Sequence, residues 1–175
     1  MSKLVIFSVF VFTILLTSCG GSSSNSGGGG GGSVEAAANF AYLGTWTGRW
    51  TNTTFGSSGS VLVEIIDNGD GTLTVTVDLG GFVGGLIDPD PESDIVSVNA
   101  DGSVNYNGSH DMLGELNVSV SGDGQLEIDT PNIVTSGFDD FSVTGTVTET
   151  MANLSTSVNF TGGGSATGTV TATKN

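Results

Sequence analysis

The chain has 175 residues, with 18 Asp and Glu against 3 Lys and Arg, one His, one Cys, 29 Gly and 3 Pro, for a formal net charge of −15. That length bounds it to one modest domain, and 37% hydrophobic with only 12% charged residues suits a half-buried β protein whose polar positions are Thr and Ser, not a disordered polyelectrolyte. The acidic surface repels phosphate backbones, which excludes nucleic acid as a partner.

Lys3 precedes a mostly apolar run over 4–16 (LVIFSVFVFTILL). A membrane-spanning helix needs about 20 such residues, so the run has the length of a signal-peptide core. Leu16-Thr17-Ser18-Cys19-Gly20 follows directly and resembles the lipobox of bacterial lipoproteins. That resemblance implies that residues 1–18 are a lipoprotein signal peptide that is cut off, and that Cys19 is lipidated, carrying palmitate-type acyl chains. Each buried CH₂ adds roughly 0.8 kcal/mol, and two or three chains make the attachment lasting. The membrane is then a partner through lipid alone. Gly20 stands where an Asp would resemble the inner-membrane retention signal of enteric bacteria, so the expected location is the cell envelope, at the outer membrane. Without Lys3 the chain keeps two cations against 18 acids, a net charge of −16, and no second Cys is present to form an intramolecular disulfide.

Residues 20–33 (GGSSSNSGGGGGGS) cannot bury apolar surface and read as a flexible tether with a reach of roughly 20 Å. The folded domain is expected over 34–175. Val34-Glu35-Ala36-Ala37-Ala38-Asn39 has the only concentration of helix formers, enough for one or two turns that plug the end of a sheet.

Everything after it alternates with period two. Trp46, Gly48 and Trp50 share one face of a strand over 43–52, opposite Thr45, Thr47, Arg49 and Thr51. Val61, Val63 and Ile65 mark the next strand, over 60–67, and Leu62 and Ile66 predict that part of its second face is covered. Asp67-Asn68-Gly69-Asp70-Gly71 carries two glycines able to take positive φ, and Leu73, Val75, Val77 and Leu79 follow in alternation, which is the clearest hairpin signal in the chain. Further strands are expected at 94–99, 103–108, 114–121, 125–129, 138–149, 152–161 and 165–173. About ten strands joined by short turns predict an all-β, antiparallel up-and-down β-barrel of 8 to 10 strands, with a two-layer β-sandwich as the alternative. A closed barrel removes exposed edges, and the mid-strand Gly48, Gly145 and Gly168 permit the coiling that closure needs. A transmembrane barrel needs an apolar outer face; here that face is Thr, Ser, Asn and Asp.

Around the first strand, Asn39-Phe40-Ala41-Tyr42-Leu43-Gly44-Thr45-Trp46 resembles the opening motif of lipocalins, and Gly44-Thr45-Trp46 is similar also to the first strand of avidins. These calycin families lead from a short helical turn into strand one, and the Trp plugs the closed end of the barrel. The resemblance implies capture of a small hydrophobic ligand in the barrel. Lys174 is the only substitute for the late Arg that stacks on that Trp in lipocalins. Trp50, Tyr106, Phe141 and Phe160 are the candidate ligand-binding residues, with Val63, Val75 and Val118 on the same inward face.

Catalytic chemistry is sparse. The lone His110 cannot build a multi-His metal site, and His110-Asp111 has no Gly-x-Ser-x-Gly turn to present a nucleophile, so the chain is not expected to be an enzyme or to hold a cofactor. One acidic segment could bind Ca²⁺: Asp88, Asp90, Glu92 and Asp94 lie within seven residues, although Ca²⁺ takes six to eight oxygen ligands and the spacing is not that of an EF-hand. Asp67, Asp70, Asp101, Asp123, Asp139 and Asp140 sit at turns as solvated carboxylates. Two functions fit this reading. One is a binding module that holds a small hydrophobic ligand at the envelope; the other is a structural or interaction lipoprotein with a filled core and no small-molecule ligand.

Overall fold

A computed structural model describes residues 32–81, 90–110, 114–133 and 137–175 of the protein. The leader, Cys19 and most of the tether lie outside the described residues. One short helix, α1 (Val34–Ala38), is followed by ten strands: β1 (Gly44–Asn52), β2 (Ser58–Asp67), β3 (Thr72–Asp78), β4 (Glu92–Ser97), β5 (Val104–His110), β6 (Gly114–Val120), β7 (Gln125–Asn132), β8 (Phe138–Val147), β9 (Met151–Phe160) and β10 (Ser165–Lys174). All are antiparallel to their neighbours in the order β4-β3-β2-β1-β10-β9-β8-β7-β6-β5. This is a nearly closed up-and-down barrel, and the sandwich alternative falls.

The first and last strands are joined by a full ladder, from Trp46 opposite Lys174 to Asn52 opposite Gly168. The weak seam lies mid-chain instead. Among the described residues only the bridge Val98 to Val104 pairs β4 with β5, so the barrel is closed by backbone hydrogen bonds at one end of that seam and not along the described length. Closure therefore does not remove both edges, as the sequence reading expected.

Glycines let the strands approach where the barrel coils most. A Cβ on Gly48 would lie 2.6 Å from the Cα of Ala172, and one on Gly145 would lie 2.8 Å from the Cα of Leu154; real Cβ atoms do not come so close, so both positions exclude larger residues at this curvature. The hairpin after β2 has Gly69 and Gly71 at φ 77° and 90°, with Asp67 accepting from the Gly69 amide and Asp70 from the Thr72 amide.

Ser33 belongs to the domain and not to the tether. Its hydroxyl accepts from the Ala36 amide as an N-cap, and its own amide donates to the Val98 carbonyl. The cap seats α1 across the end of the barrel, where Ala37, Phe40, Tyr42 and Trp46 pack with Leu73, Val98, Val104, Ala152 and Ala172. Two smaller clusters stand farther along the strands: Trp50, Val61 and Leu79, and Phe138, Phe141, Val143, Val158 and Ala166. The expected cover over the second face of β2 is absent among the described residues, since Leu62 and Ile66 are 41% and 49% exposed.

β7 runs three residues beyond its expected end, through Pro131. Its ladder to β8 stops at Asp129 opposite Ser142, and the buried Thr130 hydroxyl then takes over. It accepts from the Phe141 amide at 3.0 Å and donates to the Phe141 carbonyl at 3.2 Å. On the other side, a register shift between Glu115 and Asn117 lets Asn132 pair with Glu115, so Pro131, which has no N–H, falls where none is needed.

Candidate functional site

The interior of the barrel is not filled. Alternation points one face of every strand inward, and in the middle of the barrel Val, Leu and Ile are too small to meet across the diameter. A cavity of about 340 Å³ results, within the 300–1,000 Å³ typical of small-molecule sites. Its wall is apolar almost throughout, from Val63 and Val75 on β2 and β3 to Val118, Ile128, Val143 and Leu154 on β6 to β9.

At the α1 end the cavity is closed. Trp46 is 3% exposed, and its Nε1 donates to the Tyr42 carbonyl at 2.9 Å. Phe40 and Tyr42 meet edge to face, with centroids 5.0 Å apart. The Lys174 ammonium stands 6.0 Å from the centroid of the Trp46 ring and donates to the Ala41 carbonyl at 3.1 Å. Burial, with Asp123 and Glu149 nearby, raises the Tyr42 phenol above its usual range.

Of the four aromatic residues expected to touch ligand, the structure brings two to the cavity. Tyr106 and Phe141 line it. Trp50 does not: fully buried, it packs on Val61 and Leu79, and its Nε1 donates to the Gly80 carbonyl at 3.2 Å over the space left by Gly59. Phe160 also stands outside the lining, against Phe138 at a centroid distance of 5.8 Å. Both residues were placed correctly on the inward face. They lie toward strand ends, where neighbouring side chains fill the interior.

The polar part of the wall was missed. Glu92 and Asp94, on β4, line the cavity with Tyr106. The Oε1 atom of Glu92 is buried and has no hydrogen-bond partner among the described residues. Burial, aided by the charge of Asp94, pushes the Glu92 carboxyl up to about 7. Across the seam, the Tyr106 hydroxyl donates to Asp94 at 3.1 Å, and burial beside that carboxylate pushes the phenol up to about 12. Gly108 makes this reach feasible, since a Cβ there would sit 2.6 Å from the edge of the Tyr106 ring. A signal was available: Glu92 and Asp94 are in phase with the inward Val96 and Val98, but a strand started at 94 hides the first of them.

The four carboxylates of the calcium expectation do not share one loop. Asp88 lies outside the described residues, Asp90 is exposed, and Glu92 and Asp94 belong to a strand facing the interior, not to a common loop. Among the described residues no three His, Cys, Asp or Glu come together as a metal site. The turn carboxylates have structural partners. Asp101 accepts from the Ser103 amide and hydroxyl, Asp139 from Thr161 and Asp140 from Asn159; hydrogen bonding holds Asp70 and Asp101 below the usual carboxylate range. His110 ends β5, and Asp111 lies outside the described residues.

No protein-family model matches the chain, and no curated protein matches it. Among solved structures it is similar to that of Rv2717c from M. tuberculosis, with a TM-score of 0.52 and 18% identity over 79% of this chain and 95% of that one. A redesigned β-barrel, b11L5F_LGL, aligns with a TM-score of 0.36 and 16% identity over 80% of this chain and 95% of that one. The likeness to Rv2717c is one of fold.

Proposed function

We propose that the protein is a lipid-anchored envelope lipoprotein whose barrel holds a small, largely apolar molecule. The observation that carries this reading is the apolar cavity of about 340 Å³ inside the barrel. Such space in a solidly packed domain costs stability, because its lining atoms lose dispersion partners; a ligand restores them. The lipobox-like segment ending at Cys19 supports the anchor, and the Gly/Ser run after it supports a tether that lifts the barrel above the headgroups. The outer face carries Arg49, Thr171, Asn153 and Thr146 in one cross-strand row, in keeping with a barrel outside the bilayer.

The test is a titration of the leaderless form, residues 20–175, with the apolar fluorophore N-phenyl-1-naphthylamine. Saturable 1:1 enhancement is expected, reduced about tenfold or more in affinity by Val118→Phe, which fills the cavity. A folded protein that shows no saturable enhancement would count against the reading. The competing reading, a surface interaction protein, draws on one observation, the exposed Leu62, Ile66 and Ile95 on the outside of β2 and β4.

A further inference from the structure

We infer that the ligand is an amphiphilic amine: a cationic ammonium lodged against Glu92 and Asp94 at the β4–β5 seam, with its apolar body in the cavity. This rests on the ligand-binding reading above and specifies its chemistry.

The argument starts from an imbalance in the wall. A buried polar atom without a partner costs free energy, and the buried Glu92 Oε1 has none among the described residues. Glu92 and Asp94 are two residues apart on one strand and both face the same apolar space, so their side chains project side by side. Among the described residues no cation offsets them there. Arg49 is occupied outside the barrel, donating to Ser58 at 2.6 Å, and Lys174 sits at the α1 end against Ala41. Among the described side chains, the titratable groups facing Glu92 are Asp94 on its own strand and Tyr106 from β5 across the seam; β3 presents Val77 opposite it. His110 stands at the end of β5. Tyr106 donates to Asp94, which leaves the Glu92 carboxyl as the acceptor still open.

A ligand that repairs this site must donate hydrogen bonds and bring positive charge. An ammonium does both, with three donors on one atom. A metal ion fits less well, since Ca²⁺ requires six to eight oxygens and the lining here supplies two carboxylates and one phenol. A carboxylate ligand would set its own negative charge beside Asp94 and, above about pH 7, beside an ionised Glu92 as well. The seam is also where backbone pairing is missing between Val98–Val104 and the far end of the strands, so a polar head meets the wall where it is least sealed. The chain's charge of −15 adds a long-range pull on cations.

The test uses displacement of N-phenyl-1-naphthylamine from residues 20–175 at pH 8 by octylamine, 1-octanol and octanoate, which share one chain and differ in the head. Octylamine should bind about tenfold or more tighter than octanol, and octanoate more weakly than octanol. In Glu92→Gln the amine-to-alcohol ratio should fall to about two. In Glu64→Gln, which removes the same charge from the exposed outer face of β2, the ratio should persist. Equal binding of amine and alcohol in the wild type, or a preference that survives Glu92→Gln, would overturn the amine assignment while leaving the apolar site standing. Failure of the fluorophore and of all three octyl compounds to bind would overturn both.

Discussion

Glu92 gives the domain a pH dependence of known sign. Its carboxyl lies near 4.5 in an unfolded chain and is pushed up to about 7 in the barrel, so between these values the folded state holds a proton that the unfolded state has lost. The stabilisation is fully present below about 4.5 and is lost as pH rises through about 7. Glu92→Gln, which cannot ionise, should therefore differ little from wild type in Tm at pH 4.5 and become progressively the more stable of the two up to a plateau above pH 7. Paired thermal melts between pH 4.5 and 8 check this, and a Tm difference that does not change with pH would contradict it. The sequence reading assigned nothing to the neighbouring Gly108. Its role is to leave room for the Tyr106 ring, so Gly108→Ala should cost about 1–3 kcal/mol through overpacking. Tyr106→Phe, which deletes only the hydroxyl bonded to Asp94, should cost about 0.5–1.5 kcal/mol. Chemical denaturation of the two variants separates these effects, and an Ala variant no worse than the Phe variant would remove the cradle argument.

Among the elements, β7 is where local sequence rules and the structure part. The strand expected over 125–129 continues through Pro131 to Asn132, because the Thr130 hydroxyl serves both the amide and the carbonyl of Phe141. No single-strand pattern carries that information; it depends on which residue of β8 arrives opposite. Thr130→Val keeps the shape and leaves two buried backbone groups unpaired, so it should cost about 1–3 kcal/mol, with Thr130→Ser recovering most of the loss. Equilibrium unfolding in urea gives both numbers, and a Val variant as stable as wild type would show that those groups find water instead. The other strands were legible because alternation of Val, Leu and Ile with Thr, Ser and Asn is a direct imprint of a one-sided core. The first helix was legible for a different reason: Ala37 and its neighbours are the only helix formers next to an N-cap, Ser33, although the cap itself was read as the end of the tether.

For the whole molecule, composition and period reached an antiparallel barrel of 8 to 10 strands with a β-sandwich as the alternative, and short turns reached its meander order. The seam between β4 and β5 was hidden, because a strand that lacks a ladder partner has the same period as one that has it. The cavity was hidden for a related reason. Inward Val118 and Val143 read identically whether they meet a neighbour or face empty space, so Trp50 and Phe160 were expected at a site that the structure builds from Tyr106, Phe141 and two acids. The chain's central property is thus an apolar space inside the barrel with one polar corner. Native mass spectrometry of residues 20–175, purified from the protein's own host without detergent, tests it most directly. The account predicts a population carrying one small molecule, released on unfolding and bearing a protonatable nitrogen on an apolar body. A single mass equal to that of the bare polypeptide, from a sample that also fails to take up N-phenyl-1-naphthylamine, would contradict it.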